Sequence, residues 1–399
     1  MATQAFDTGT MTAGELARPH PRLIAFPMVG NTLGGSHEST IGLLRNLDPE
    51  RFLPVIIHER GADRIADFFR EFRTCVAPGF EAVERAGQRM SVVRALNALR
   101  HTKTRRALLT QIKADLVHTN DGRSHAVWGL AARLAGLPLV WHHRADPDAR
   151  GLNYVAPLLA TRVLSVSRFA LPADPDSRVL PKAQVIHSPF DTAIAPDRAT
   201  MRERIVAELD LRPDTLICGY FGLLIGRKRP VAFVEAVARL REISDCPVIG
   251  LIFGEPAEPG LAEQVERKID ELGMQSAIHV MGFRRPGHDW IAACDYLLVT
   301  AVREPLGRTL VEANLVSTPV VATRSGGNVE ALDGGLGILV EPDDAQAMAA
   351  AVIAAEQDEA KRLAMTRSAR QAALERFGMD SHARSVMTVY ESILGEQPG

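Results

Sequence analysis

The sequence predicts an α/β protein built from two open parallel sheets, with helices on both faces, that oppose each other across a cleft. Two observations carry this. Short, continuous apolar runs alternate with helix-patterned stretches, as expected of strands buried on both faces of a parallel sheet. The alternation also occurs twice, on either side of the breaker-rich segment 188–196, Ser-Pro-Phe-Asp-Thr-Ala-Ile-Ala-Pro. A length of 399 residues fits two or three domains of ordinary size.

Residues 1–21 lack an apolar signal core and read as a disordered leader, with Met11 as an alternative start. The first domain is expected over 22–190, with strands at 23–29, 52–58, 115–119, 139–142, 162–167 and 184–188 and helices at 38–47, 62–72 and 124–135. The second is expected over 191–375, with strands at 216–221, 248–253, 277–280, 296–300, 319–322 and 338–340 and helices at 231–242, 263–272 and 309–316. The tail from 344 to 394 has a single glycine, Gly378, and reads as almost wholly helical; residues 376–399 are expected to pack back on the first domain. Ligands of such sheets bind beyond the strands' carboxyl ends.

A formal charge of -2 argues against a nucleic-acid binder. Cys75, Cys218, Cys246 and Cys294 are too far apart for a zinc knuckle or redox pair and read as reduced cytosolic thiols. Asp146-Pro-Asp148 and Asp174-Pro-Asp176 imitate a metal-binding pair, but Asp-Pro is a common turn initiator, and no metal ligand is expected. No apolar run is long enough to span a membrane. Residues 85–113 hold eight Lys or Arg and no acid, with apolar residues at helical spacing; this suits either an anionic membrane surface or an ordinary surface helix pair.

The chemistry-bearing residues cluster after strands. After 296–300 comes Glu304-Pro-Leu-Gly-Arg-Thr-Leu-Val-Glu312. Pro305 biases Glu304 to an extended conformation, Gly307 permits a tight path, and Thr309 opens a helix. The amides of Leu306, Gly307, Arg308 and Thr309 then suit a diphosphate at a helix N-terminus. Glu312 either faces the same cleft or pairs with Arg308 at the helix surface. After 216–221, the loop 222–230 carries Arg227, Lys228 and Arg229 and ends on Pro230, a residue favoured in the first helical turn. It is either a phosphate contact or a solvated basic loop. Gly326 and Gly327 permit close backbone approach to a ligand. In the first domain Gly34 and Gly35 open a helix without forming G-x-G-x-x-G, and Trp141-His-His-Arg144 ends a strand.

These motifs together resemble family 4 of the retaining glycosyltransferases over roughly 23–393. The resemblance is strongest in Gly222…Lys228-Arg-Pro, Met281-Gly-Phe283, Glu304-Pro-Leu-Gly-x4-Glu312, Pro319-Val-Val-Ala-Thr and Gly326-Gly-x-x-Glu330. It implies the GT-B fold and retaining, metal-independent transfer of a hexose-type sugar from a nucleotide-diphosphate donor, with no cofactor. The basic stretch 85–113 hints at a lipid-linked or anionic acceptor near the membrane; the expected acceptor is lipid-linked or a saccharide, in cell-surface polysaccharide or glycolipid assembly, in the cytoplasm or at the inner membrane face. Glu304 is implied to bind the donor sugar and stabilise the reacting centre, and His142, with His143 as alternative, to touch that sugar from the first domain. Glu312 is implied to hold the ribose, Lys228 and the amides of Gly307 to Leu310 the diphosphate, and backbone near Gly282 and Phe283 the base; Gly34 and Gly35 fit the first-domain glycine loop. Leu223 stands where the family has arginine, with Arg227 or Arg229 as possible replacements, and the hinge reads Ser188-Pro-Phe-Asp191 in place of Asn-Gly-Val-Asp. Rival readings are a sugar-nucleotide epimerase, a transferase acting on a soluble secondary metabolite, and a catalytically weak binding partner.

Overall fold

The structure, a computed structural model, describes residues 20–81 and 100–395, with backbone alone for 78–81. Nearly all of the leader expected at 1–21, and the part of the basic stretch before Arg100, lie outside the described residues.

The first half contributes β1 (Arg22–Pro27), β2 (Phe52–Arg60), β3 (Arg73–Glu81), β4 (Leu116–Thr119), β5 (Leu139–His143), β6 (Arg162–Ser165) and β7 (Ala183–Val185). All pair in parallel, in the order β3-β2-β1-β4-β5-β6-β7. The second half contributes β8 (Leu216–Phe221), β9 (Val248–Phe253), β10 (Ile278–Gly282), β11 (Tyr296–Val299), β12 (Val320–Thr323) and β13 (Ile338–Val340). They too are parallel, in the order β10-β9-β8-β11-β12-β13. Strand order reverses between β1 and β4 and again between β8 and β11. A crevice opens beyond the strand ends at each reversal, which locates the site before any side chain is considered.

Two sequence expectations fail locally. The helix expected at 62–72 stops at Phe68, and Arg73–Glu81 forms a strand instead. That strand lies at the sheet edge, where Pro78 is tolerated because the outer side needs no ladder bond. The helix Arg198–Glu208 was not expected; Asp197 caps it by accepting bonds from Ala199 N and Thr200 N at 3.1 and 3.2 Å.

Strand alternation divides the first sheet's two faces. Ala25, Val117 and Trp141 pack with Trp128 and Leu152 on one side. Ile24, Phe26, Leu116 and Val140 pack on the other with Ala383, Val386, Val389 and Tyr390 of the helix Met379–Leu394. The last helix of the chain thus crosses back onto the first sheet. It is led there at Gly378, which bridges Phe190, with Phe190 N donating to Phe377 O at 2.8 Å.

On that second face lies a buried histidine stack. His118 Nδ1 meets the Tyr390 hydroxyl at 2.5 Å, and His118 Nε2 meets His142 Nδ1 at 3.2 Å. The His142 ring stacks on His382 at 5.8 Å, and His382 Nδ1 donates to His187 O at 2.6 Å. Burial holds all three of these histidines below their ordinary value, with the Arg144 charge adding to the effect.

Of the basic stretch, Thr102–Gln111 is a helix whose apolar face packs inward: Leu109 is buried in the first core, with Leu108 and Ile112 against it. Arg105 is buried beside the Trp128 ring. In its described part the stretch therefore offers no free apolar face to a membrane. Among the described residues no helix is long and apolar enough to cross one.

Candidate active site

The loops at the two reversals meet. A cavity of about 440 Å³ is lined from the first half by residues including Gly35, Asn120, Trp141 and Arg144, and from the second by Arg227, Glu304, Leu306 and Arg308.

Glu304 is one of two acids on its lining, with Asp121, and is 8% exposed. Its Oε2 lies 2.9 Å from Arg227 Nη1 and 3.6 Å from Lys228 Nζ. The contact with Arg227 is an ion pair without hydrogen-bond alignment, so both atoms keep bonding capacity. A buried carboxylate between two cations, not fully bonded, is the kind of arrangement found at ligand sites. Arg227 and Lys228 both turn to Glu304, whereas Arg229 pairs with Asp343 on the far side. Lys228 lies over Gly222, where a Cβ would come within 3.1 Å of its ammonium.

Backbone packing fixes Glu304. Gly327 N donates to Glu304 O at 2.7 Å, and Ser167 Oγ of the first half donates to Pro305 O at 2.5 Å. A Cβ on Gly326 would lie 2.7 Å from Glu304 N, and one on Gly327 would lie 2.3 Å from Pro305 O. The glycine pair was expected to admit a ligand; its visible role is to admit the Glu304 backbone. We therefore expect Gly327→Ala to cost about 1–3 kcal/mol, as overpacking does, and to lower activity more than stability alone explains. Chemical denaturation alongside turnover measures both.

The helix Arg308–Leu315 begins as expected, but its free amides are fewer. Leu310 N is bonded to Gly307 O at 3.0 Å and its side chain is in the core, so it is not available to a diphosphate. Arg308 and Thr309 keep first-turn positions. Arg308 reaches the opposite half: Nη1 donates to Ser39 Oγ at 2.9 Å, and the guanidinium stacks on Phe190 at 4.2 Å. It also forms the i,i+4 ion pair with Glu312, at 3.8 Å. Glu312 is a quarter exposed, and burial raises its pKa against the pull of Arg308, His288 and Lys228. Gly35 begins the helix Gly35–Arg45 close to Arg308, where a Cβ would lie 2.9 Å from Cδ; Gly34 precedes it in extended backbone. Gly282, the last residue of β10, and Phe283, just after it, are not on the cavity lining, and Phe283 is 59% exposed.

His142, implied by the resemblance to touch the donor sugar, is fully buried within the histidine stack on the face that meets the last helix and is not on the cavity lining. His143 lines the cavity, donating Nε2–H to Asp146 O at 3.1 Å. The residue just past the strand, Arg144, also lines it. Its Nη1 donates to Ser188 Oγ at 2.9 Å, and burial and then Arg308 push its pKa down to about 9. Sequence reasoning quoted Arg144 without selecting it. Strand alternation would not have found it: residues 140, 142 and 144 would share one face, and Arg144 lines the cavity only because β5 ends at His143.

The Asp146-Pro-Asp148 turn binds a cation of the protein itself. Arg303, from the loop after β11, donates to Asp146 at 2.8 and 3.0 Å and to Asp148 at 2.5 Å. This lowers the Asp146 pKa and clamps the two halves beside the cavity. Glu330 does the same at the hinge, accepting from Arg168 N at 2.7 Å and meeting His187 at 3.0 Å.

Residues 201–372 match the family described as glycosyl transferases group 1. The D-inositol 3-phosphate glycosyltransferase of Streptomyces avermitilis is 30% identical over 314 residues, 70% of this chain and 66% of the relative. Its counterpart in Corynebacterium urealyticum is 32% identical over 204 residues, 49% of this chain and 47% of the relative. The chain spans about half the length of the first curated relatives it matches. The crystal structure of Anabaena HepE, in complex with UDP and glucose, superposes with a TM-score of 0.74 at 20% identity, covering 92% of this chain and 99% of that one. On its fold, its motifs and these matches, the chain belongs to the group 1 glycosyl transferases of the GT-B fold.

Proposed function

We propose that the chain transfers a hexose-type sugar, with retention at the anomeric carbon and without a metal, from a nucleotide-diphosphate donor to an acceptor hydroxyl in glycoconjugate assembly. The acceptor is a saccharide or a lipid-linked precursor, and the reaction belongs to the cytoplasm or its membrane face. The observation that carries this reading is the Glu304 carboxylate, held by Arg227 and Lys228 at the switch point of one sheet and turned to a cavity walled by the other.

In this reading Lys228 and the Arg308 and Thr309 amides stabilise the leaving diphosphate. Such fixed dipoles need no reorganisation as charge develops. Glu304 faces the cationic sugar carbon. Glu312 receives the ribose, and the exposed Phe283 borders the base. The acceptor's proton passes to the leaving phosphate, so no protein base is assigned. The Arg303 pairs with Asp146 and Asp148 join the two halves beside the donor site.

The test is incubation with uridine, guanosine and adenosine diphosphate sugars and candidate acceptors, followed by NMR of the anomeric proton, with and without EDTA. Retained configuration and EDTA-insensitive turnover are expected. Inversion, or complete loss with EDTA, contradicts the mechanism. A donor epimerised without acceptor marks an epimerase.

A further inference from the structure

The cavity wall supplied by the first half holds more hydrogen-bond donors than the protein satisfies. Asn120, 1% exposed, has no partner for its Nδ2, and Trp141, 2% exposed, has none for its indole Nε1. Arg144 Nε is likewise without a partner. All three residues line the cavity. The remaining Arg144 bonds go to neutral acceptors: Ser188 Oγ at 2.9 Å, His142 Nδ1 at 3.3 Å and Asn120 Oδ1 at 3.4 Å.

Charge leads to the same place. The other two arginines on the lining have carboxylates close by, Arg227 at 2.9 Å from Glu304 and Arg308 at 3.8 Å from Glu312. The acid nearest in influence to Arg144 is Asp121. Its Oδ1 already accepts from Arg123 N and Ser124 N at 2.8 and 2.9 Å to cap a helix. Arg144 is therefore a largely buried cation with no direct counter-ion among the described residues.

Buried donors and an unneutralised cation are both unfavourable unless a ligand completes them. A neutral polyol is a poor complement, because each hydroxyl brings its own hydrogen. An ionised phosphate or carboxylate only accepts and offers several lone pairs. We propose that this wall binds an oxyanion carried by the acceptor substrate, a phosphate or carboxylate group, with Arg144, Asn120 and Trp141 as its donors. The proposal rests on the sugar-transfer reading of the cavity and assigns the acceptor's class.

The experiment is calorimetric titration of the full chain with inorganic phosphate, glucose 6-phosphate and glucose. Wild type, Arg144→Gln, Asn120→Asp and Lys228→Ala are compared, each checked for fold by circular dichroism. Glucose 6-phosphate is expected to bind about tenfold or more tightly than glucose, the range of a charge-assisted bond. That preference is expected to disappear in Arg144→Gln and Asn120→Asp and to persist in Lys228→Ala. Equal affinity for the two sugars, no saturable phosphate binding, or a preference unchanged in both wall variants overturns the proposal. Loss in Lys228→Ala alone places the anion in the donor's diphosphate subsite and also overturns it. Nucleoside diphosphate binding by the same variants separates this failure from failure of the transferase reading, which would remove that binding from the wild type too.

Discussion

Lys228→Ala and Glu304→Gln are each expected to lower sugar transfer about a hundredfold or more, while the protein stays folded. The magnitude is that of removing one preorganised charge from a site that excludes water, on the order of 3 kcal/mol of transition-state stabilisation. The two residues fail for different reasons. Lys228 is the flexible cation of the pair, 3.6 Å from Glu304 and partly accessible. Without it the departing diphosphate loses its point charge, and the donor's affinity falls with the rate. Glu304 is nearly enclosed, and its backbone is fixed by Gly327 and Ser167. Glu304→Gln keeps that backbone and the side-chain volume but removes the negative charge facing the sugar. It should lower kcat more than it weakens donor binding. Steady-state kinetics on both variants, with melting curves as the control, separate the two effects. Near-wild-type turnover by both would falsify the site assignment.

The second large effect is loss of stability in mild acid. His118, His142 and His382 are held below the ordinary histidine value by burial, His382 down to about 3. The sign follows from proton binding. Below about pH 6.5 the unfolded chain takes up protons on these rings while the folded chain does not, so stability is full above that pH and declines as pH falls toward the folded value. His382 alone contributes about 1.4 kcal/mol of loss per pH unit in that window. Glu59 and Glu312, whose carboxyls burial raises, act in the opposite sense, so the informative quantity is the difference between variants. His382→Asn retains a donor toward His187 O and cannot titrate. Urea denaturation at pH 7 and pH 5 should show the variant losing less stability than the wild type, by up to about 2 kcal/mol over the interval. Equal losses would mean that the ring is already solvated in the folded state.

The strands of both sheets were legible because parallel strands covered on both faces must be continuous apolar runs, and 216–221, 248–253 and 338–340 coincide with strands β8, β9 and β13. The edge strand Arg73–Glu81 was not, because an edge is only half covered and its sequence carries Pro78 and Gly79. The second half of the site was legible because Glu304, Lys228 and the Gly326 loop each follow a strand directly. The first half was not, for a geometric reason. His142 and His143 point to opposite faces of one strand, and nothing in the sequence says which face meets the cleft and which the last helix. The same limit hid the role of Asp146 and Asp148. Their partner is Arg303, more than 150 residues away, and only the fold brings them together. That limit also hid the partners of the basic loop, Glu304 for Arg227 and Asp343 for Arg229.

The central claim is that a nucleotide-diphosphate sugar is held between the two sheets on Lys228 and Glu304. It is tested most directly by thermal shift of the wild type and Lys228→Ala with uridine, guanosine and adenosine diphosphate sugars. One nucleotide series is expected to raise the melting temperature of the wild type by several degrees at concentrations about a hundredfold above Kd, and to raise that of Lys228→Ala much less. A wild type that responds to none of the three, or a Lys228→Ala variant that responds as strongly, would contradict the account.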